Sequence, residues 1–329
     1  MNKDAQASFP PQLYRKIAGI EGDNVHGAGY LALKCLDLTA DAAVEYAENP
    51  SATGAFDEFL RTLAARLTAS QSAMFVIPNL LVRVLERFFS ESGPRPGATA
   101  RNVSLMRRIV EEEKQRLKHD LALLAKKGSS FLAGKLPPGG HIVTISHSRA
   151  VFGVLKGLAA ACGVRVSVAE SRPLNEGLEL ARQLAELGIS VRLIPDCLLG
   201  LATAEADAAL IGADSLTPGG DVVNKAGTRL LALAANADGV PVYCCAETLK
   251  VMTCEPGPET RLPVQRERPA AEIVDPQPEG VEVLNLYFDR TDSKLIAGYI
   301  TELGILNREK LKIISSEVAG RLRKNIRLD

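Results

Sequence analysis

The sequence lacks most of the features by which large function classes are known. It carries no excess charge, with 39 Lys and Arg against 39 Asp and Glu. No long-range field therefore draws it to nucleic acid or to an anionic membrane. No apolar run approaches the roughly 20 residues that span a bilayer. The opening residues, M-N-K-D-A-Q-A-S-F-P-P, hold no apolar core of the kind a secretory signal needs. The cytosol is the default compartment. Six cysteines in 329 residues do not make a disulfide framework, and no C-x-x-C pair or Cys/His cluster has metal-ligand spacing. Cys35, Cys162 and Cys197 are scattered, and Cys244-Cys245 lie in an apolar run. All six are expected to be reduced thiols, most of them packing as small hydrophobes.

Motifs are also missing. The turn T-I-S-H-S-R-A (Thr144 to Ala150) has neither G-x-G-x-x-G nor a Walker glycine-lysine pair. This argues against a dinucleotide-binding dehydrogenase and against a phosphate-loop kinase or ATPase. G-x-S-x-G is absent too, so a hydrolase elbow has no support.

What is present is ordinary globular composition, 46% hydrophobic and 24% charged, in a chain long enough for about two domains. Residues 1–135 read as helical. Phe56, Phe59, Leu60 and Leu63 form one helical face, and Val103, Met106, Val110, Leu117, Leu121 and Leu124 repeat at helical spacing. The charges Glu111-Glu112-Glu113-Lys114 and Arg116 to Lys118 read as a solvated face. From Leu136-Pro137-Pro138-Gly139-Gly140 onward, short apolar runs alternate with helical patterns. The runs are His141 to Ile145, Val164 to Val168, Ser190 to Ile194, Ala208 to Gly212 and Val240 to Cys245. Leu174 to Leu187 reads as a helix stopped by Gly188. This alternation predicts an α/β fold, a Rossmann-like doubly wound parallel sheet over residues 136–329 behind an all-helical domain over 1–135. Glu255 to Gly280, with six prolines, reads as a long loop of the kind that covers a site or an interface. Val281 to Asn285 reads as a last strand, and a helix follows from about Asn307.

Ligands of doubly wound sheets bind beyond the carboxyl ends of the strands. That nominates Thr144 to Arg149, Glu170 to Pro173, Asp196-Cys197, and Ala213 to Lys225. The stretch I-G-A-D-S-L-T-P-G-G-D-V-V-N-K-A-G-T (Ile211 to Thr228) is the most informative. A buried strand ends in Asp214, a Gly219-Gly220 turn follows, and Asn224-Lys225 fall where the next helix is expected to begin. A helix amino terminus and a lysine favour an anion, which suits a small phosphorylated ligand.

In chain order the segments A-E-S-R-P-L-N-E-G (Ala169 to Gly177), I-P-D-C (Ile194 to Cys197), G-A-D-S…G-G-D-V-V-N-K-A-G-T, A-E-T-L-K (Ala246 to Lys250), N-L-Y-F-D-R-T (Asn285 to Thr291) and I-T-E-L-G-I (Ile300 to Ile305) carry a resemblance. The chain resembles the superfamily that joins the regulatory subunits of eukaryotic translation initiation factor 2B with ribose-1,5-bisphosphate isomerase and methylthioribose-1-phosphate isomerase. The likeness is strong from about Gly139 to Leu306 and weaker in the helical half. In the enzymes it implies aldose–ketose isomerisation of a 1-phosphorylated ribose, by a cysteine thiol and an aspartate that shuttle protons. No metal or organic cofactor is implied. The aspartate carries over to Asp214 and the Asn-Lys pair to Asn224 and Lys225. Arg172 matches an arginine that can hold a phosphate bidentately or brace its strand end. The resemblance also implies a homo-oligomer, dimer or hexamer, paired through the sheet domain. Val240 to Cys245 and the proline-rich loop are candidate contributors.

Three departures bear on activity. The catalytic cysteine position is Ser146, and a hydroxyl is a poor acid/base at neutral pH. The R-G-A phosphate motif appears as His26-Gly27-Ala28, and the R-P-T/R-P-S motif as Gln71-Ser72-Ala73, each without its arginine. The turn T-I-S-H-S-R-A, which holds His147, Ser148 and Arg149, also looks like the T-x-x-x-S-R turn of the initiation-factor subunits, which lack the cysteine. Cys197 stands at a neighbouring strand end as a displaced thiol or, more simply, a packing residue. Three readings stay open: an isomerase with Asp214 as acid/base and Ser146 or Cys197 as its second group; a non-catalytic relative that senses a sugar phosphate or nucleotide; and a vestigial cleft in an assembling subunit.

Overall fold

The computed structural model describes residues 9–23, 27–48, 55–71, 74–93, 96–253 and 267–325. The chain divides into two compact units, Met1–Lys118 with Ser316–Asp329, and His119–Ser315. The change of sequence rhythm near residue 136 lies later than this division, which falls inside a long helix.

The first unit contains α1 (Pro11–Glu21), α2 (Ala28–Glu48), α3 (Phe56–Ser70), α4 (Val76–Ser92) and the amino-terminal part of α5 (Ala100–Ala133). The helical periodicity is borne out: Phe56, Phe59, Leu60 and Leu63 are buried, as are Val103, Met106 and Val110. Phe59 packs against Phe9 and Tyr46, with ring centroids 5.7 and 4.8 Å away. One residue departs from the expected solvated charge run. Glu113 is fully buried, paired with Arg83 at 2.5 Å and Arg87 at 3.2 Å. Two guanidinium groups from α4 offset the desolvation of the carboxylate. The flanking Glu111, Glu112, Arg116 and Lys118 remain exposed as expected.

The second unit is a doubly wound α/β layer. It runs β1 (Gly140–Ile145), α6 (Arg149–Cys162), β2 (Val164–Ala169), α7 (Glu176–Glu186), β3 (Ser190–Ile194), a 3-10 turn (Asp196–Leu198), α8 (Leu199–Ala204) and β4 (Ala208–Ile211). Then come β5 (Ser215–Leu216), β6 (Val222–Lys225), α9 (Thr228–Ala237), β7 (Val242–Cys245), β8 (Phe288–Thr291), β9 (Gly298–Thr301), β10 (Gly304–Leu306) and α10 (Arg308–Asn325), whose part from Ser316 on is counted with the first unit. The strand order is β10-β9-β7-β4-β1-β2-β3, parallel except for β10. Alternate residues of β1 supply opposite faces: Val143 and Ile145 join α8 and α9 in one cluster, and Ile142 joins α6 and α7 in the other. Each fully buried aliphatic side chain contributes about 1.5–3 kcal/mol. The chain winds outward from β1 toward β3, then returns to place β4 on the other side of β1. The order reverses between β1 and β4, the switch point beyond whose strand carboxyl ends sheets of this kind bind their ligands.

Four expectations are corrected. Val281 to Asn285 forms no strand; the late strands are β8, β9 and β10, short and partly polar. Asn224 and Lys225 do not open a helix. They end β6 in a small antiparallel sheet of order β5-β6-β8, and α9 starts at Thr228. The Val240 to Cys245 run is interior: β7 is buried throughout between β4 and β9 and offers no surface to a partner. Cys197 is exposed rather than packed, because the 3-10 turn lifts it off the sheet. Exposed leucines lie instead at Leu198, Leu201, Leu230 and Leu233, around α8 and α9. Among the described residues no helix is long and apolar enough to cross a membrane.

Candidate ligand site at the switch point

The rim of the crevice is built from the turns that follow β1, β2 and β3 on one side and from β4, β6 and the turn after β7 on the other. On the first side the backbone is strained and tied down. Ser146 and Ser171, just past β1 and β2, have φ of 64° and 66°, and Asn175 has 57°. Non-glycine residues hold left-handed backbone where surrounding structure imposes it, and such positions gather at functional sites. Here the imposing bonds are explicit. Asp196 accepts from the backbone N–H groups of Ser171 (2.8 Å) and Arg172 (2.7 Å). The Ser171 hydroxyl donates to the carbonyl of Ala169 (3.0 Å) and accepts from the N–H of Ser146 (2.7 Å). One carboxylate beyond β3 thereby fixes the turns after β2 and β1.

Close approach sets the rest. A Cβ on Gly177 would lie 1.8 Å from the carbonyl oxygen of Ala169, so α7 can start against the end of β2 because residue 177 has no side chain. A Cβ on Gly212 would lie 2.7 Å from Ser148 and 3.6 Å from Oδ1 of Asn224. Bare backbone at the end of β4 thus lets the β1 turn and β6 converge. Ser148 caps α6, its hydroxyl accepting from the Val151 N–H at 3.4 Å.

The second side is charged and largely buried. Lys225 is 4% exposed; its ammonium donates to Oε1 of Glu176 at 2.6 Å and lies 4.8 Å from the Tyr287 ring centroid. Lys250 donates to the Ala213 carbonyl at 2.7 Å and pairs with Glu247 at 3.5 Å. Between these lysines stands Asp214. Its N–H is held by the Val223 carbonyl at 2.9 Å, but its carboxylate makes no hydrogen bond or ion pair with the described residues. Burial lifts the Asp214 carboxyl above its ordinary value; Lys250 and Lys225 oppose the lift, and Glu176 adds to it. Burial likewise works to raise Glu247, but Lys250, a backbone hydrogen bond and Arg149 outweigh it and leave that carboxyl lowered. Two carboxylates just past the ends of the paired strands β4 and β7 are pushed in opposite directions, a pattern found where proton transfer is set up.

The residues named from the sequence fall into groups. Asp214, Ser148, Asn224 and Lys225 come together around Gly212 and β6. Asn224 donates to the Thr228 hydroxyl at 2.9 Å, which fixes its amide. Arg149 is exposed at the first turn of α6, makes no hydrogen bond or ion pair with the described residues, and acts on Glu247 through its charge alone. The Ser146 N–H is spent on Ser171. The ring of His147 turns toward α7, with Nε2 3.1 Å from Oε1 of Gln183. The backbone of Arg172 serves the strand-end brace, and its exposed guanidinium reaches the Ile273 carbonyl at 3.5 Å. In the helical unit, Gly27 accepts from Tyr30 and Leu31 ahead of the buried Ala28. Gln71 donates to the carbonyls of Ile20 (2.7 Å) and Asp23 (3.2 Å). His26 lies outside the described residues. The anion expectation at the next helix is also altered. The amino terminus of α9 is already capped by Asp289, which accepts from Gly227 (2.8 Å) and Arg229 (3.0 Å).

Three charged residues of the site were not singled out from the sequence: Glu176, Glu247 and Lys250. All lie inside segments that carry the resemblance, P-L-N-E-G and A-E-T-L-K, but spacing gives no sign that they face Asp214. The described end of the proline-rich loop bears on the same place. Glu272 accepts from the Tyr287 hydroxyl at 2.6 Å and from Asn285 at 2.7 Å, and Arg268 lies 4.6 Å from the Tyr287 ring. Tyr287 is therefore held by the loop while its ring supports Lys225.

The two thiols of β7 are poorly placed for acid/base work. Cys244 lies under the end of β4, its sulfur 3.8 Å from the Gly212 carbonyl, and burial pushes it up to about 12. Cys245 is raised for the same reason. Among the described residues no three His, Cys, Asp or Glu side chains converge as a metal site.

Comparison with known proteins agrees with this architecture. A protein of Pyrococcus abyssi named as eIF-2B subunit 2-like is 32% identical over 299 residues, covering 91% of this chain and 97% of the relative. Ribose 1,5-bisphosphate isomerase of Methanocaldococcus jannaschii is 28% identical over 325 residues, 98% of this chain and 99% of that one. The crystal structure of translation initiation factor eIF-2B of Pyrococcus horikoshii matches with a TM-score of 0.74 at 28% identity, over 91% of this chain and 98% of its own. The model of the initiation factor 2 subunit family matches residues 24–308, and the chain belongs to that family.

Proposed function

We propose that this protein binds a phosphorylated pentose at the β1/β4 switch point and interconverts its aldose and ketose forms. Asp214 acts as the group that moves the proton. The observation that carries the reading is the Asp214 carboxylate: raised, without a direct partner, and set between two buried lysines. A carboxylate whose proton affinity is raised by burial can take a proton from one carbon and return it to the next. The lysines hold their charges close without neutralising it by contact. Arg149, exposed on the first turn of α6, is the cation available to the phosphate, where backbone N–H groups add to its fork. The Methanocaldococcus relative named for an isomerase of a ribose phosphate supports this substrate class.

A second reading, binding without turnover, is favoured by the thiols. Ser146 stands at the position where the enzymes of the family carry a cysteine, and the nearby Cys244 is held protonated. One experiment separates the two. Ribose 1-phosphate and ribose 1,5-bisphosphate are incubated with the protein and followed by NMR for the ketose, with binding measured by calorimetry. Conversion that falls about 10²–10⁴-fold in Asp214→Asn, with binding retained, establishes the isomerase. Binding without conversion establishes the second reading, and binding of neither rejects both. We also expect a homo-oligomer in the cytosol, joined through the exposed leucines around α8 and α9. Sedimentation as a monomer at micromolar concentration would remove that part.

A further inference from the structure

Lys225 is the buried cation that the strand pattern offers to an anion, yet its charge is already matched. Its ammonium donates to Oε1 of Glu176 at 2.6 Å, with side-chain exposures of 5% and 27%. The second oxygen of that carboxylate, Oε2, is buried and has no hydrogen-bond partner; nor has Oδ1 of the neighbouring Asn175. Both oxygens sit at the start of α7, whose backbone lies against the end of β2 at Gly177. Glu176 also adds its negative charge to the field at Asp214. The start of α7 holds two buried lone-pair acceptors without partners, next to a neutralised lysine.

The geometry points to Glu176 as the residue that sets specificity: this end of the site reads sugar hydroxyls and turns away a second phosphate. A hydroxyl can donate to Glu176 Oε2 or Asn175 Oδ1 and satisfy a buried acceptor. A phosphate brings acceptors to acceptors and a dianion to a carboxylate. It could reach Lys225 only by breaking the ion pair and leaving Glu176 buried and unpaired, which is strongly unfavourable. The preferred ligand is therefore a monophosphate, its anionic group at Arg149 and its hydroxyls toward α7. The inference rests on the sugar-phosphate reading above and narrows it.

The test is calorimetric titration of wild type and Glu176→Gln with ribose 1-phosphate and ribose 1,5-bisphosphate. Glutamine keeps the shape, removes the charge and gives Lys225 an amide oxygen. Wild type is expected to bind the monophosphate more tightly by about tenfold or more, and Glu176→Gln to shrink that ratio at least about tenfold. A wild-type preference for the bisphosphate would overturn the inference without any variant. Binding of both sugars in the same ratio by the two proteins would overturn it while leaving the sugar-phosphate reading intact. Failure of wild type to bind either sugar would overturn that reading, and this inference with it.

Discussion

The two sides of the crevice differ in how their polar groups are spent. In the turns directly after β1, β2 and β3, as far as Arg172, the inventory is closed. Asp196 takes two N–H groups, the Ser171 hydroxyl both donates and accepts, and the Ser146 N–H is used. Beyond β4 and β6, at the facing start of α7, it is open. Asp214 has no direct partner, and Glu176 and Asn175 each keep a buried acceptor idle. Both sides are polar and both carry acids, so composition does not separate them. A closed network rigidifies a turn, whereas unspent acceptors in a buried place are costly unless something arrives to use them. The braced side is the frame and the open side faces the ligand.

The largest effect is expected where frame and open side meet. Gly177→Ala puts a methyl 1.8 Å from the Ala169 carbonyl oxygen. That contact involves backbone on both sides, so α7 must move bodily, taking Asn175 and Glu176 with it. We expect a loss of about 3–5 kcal/mol in guanidinium unfolding, at the severe end for a single substitution. A variant as stable as wild type would mean that the start of α7 is loose, and the contrast between the two sides would fail.

Much of this frame is legible in the sequence. The run His141 to Ile145 coincides with β1 to within a residue, because a buried parallel strand reads as a near-continuous apolar stretch; Ser190 to Ile194 coincides with β3, which lies at the sheet edge and is largely exposed. Asp214 was legible too, as an acid at the end of such a run. What was not legible depends on distance along the chain. The pairing of Lys225 with Glu176 joins residues 49 apart, and Glu113 looks solvated until Arg83 and Arg87 are placed beside it. Short strands were misread for a different reason. Gly298–Thr301 and Gly304–Leu306 are too brief for periodicity to register, and they exist because the edge of β7 gives them a partner. Val281 to Asn285 has the better alternation, but none of the described strands lies alongside it.

The brace itself can be broken on its own. Asp196→Ala removes the acceptor of two N–H groups at the end of β2 and leaves β3 and α8 untouched in sequence. Charge-assisted bonds of this kind contribute about 1.5–3 kcal/mol; with Arg172 exposed, we expect about 2 kcal/mol of lost stability. Ser146 and Ser171 should then relax from left-handed backbone, visible as amide chemical-shift changes confined to the turns after β1 and β2. Shifts at Asp214 and Lys225 as large as those at Ser146 would show that the two sides are one network and dissolve the distinction.

The smallest effect is a pH dependence on the open side. Asp289 caps α9 through one oxygen, while its other oxygen is buried without a partner. Burial raises this carboxyl from 3.8 to about 6, against the pull of the Arg229 and Gly227 N–H groups. A raised carboxyl means that the folded chain holds the proton more tightly than the unfolded one. The stability contributed is therefore full below about 4 and falls as pH rises toward about 6. Two pH units correspond to at most about 3 kcal/mol, and residual solvent access reduces this to about 1 kcal/mol. Carboxylates with lowered values, Glu179 at about 2 among them, give slopes of the opposite sign, so the difference between two proteins must be read. Asp289→Asn keeps an oxygen for the cap and cannot ionise. Wild type minus variant, from urea unfolding at each pH, should decline between pH 4 and 6 and stay level above. Parallel curves across that window would mean that the idle oxygen of Asp289 costs nothing. The argument that unspent acceptors mark the ligand side would then have to stand on Asp214 and Glu176 alone.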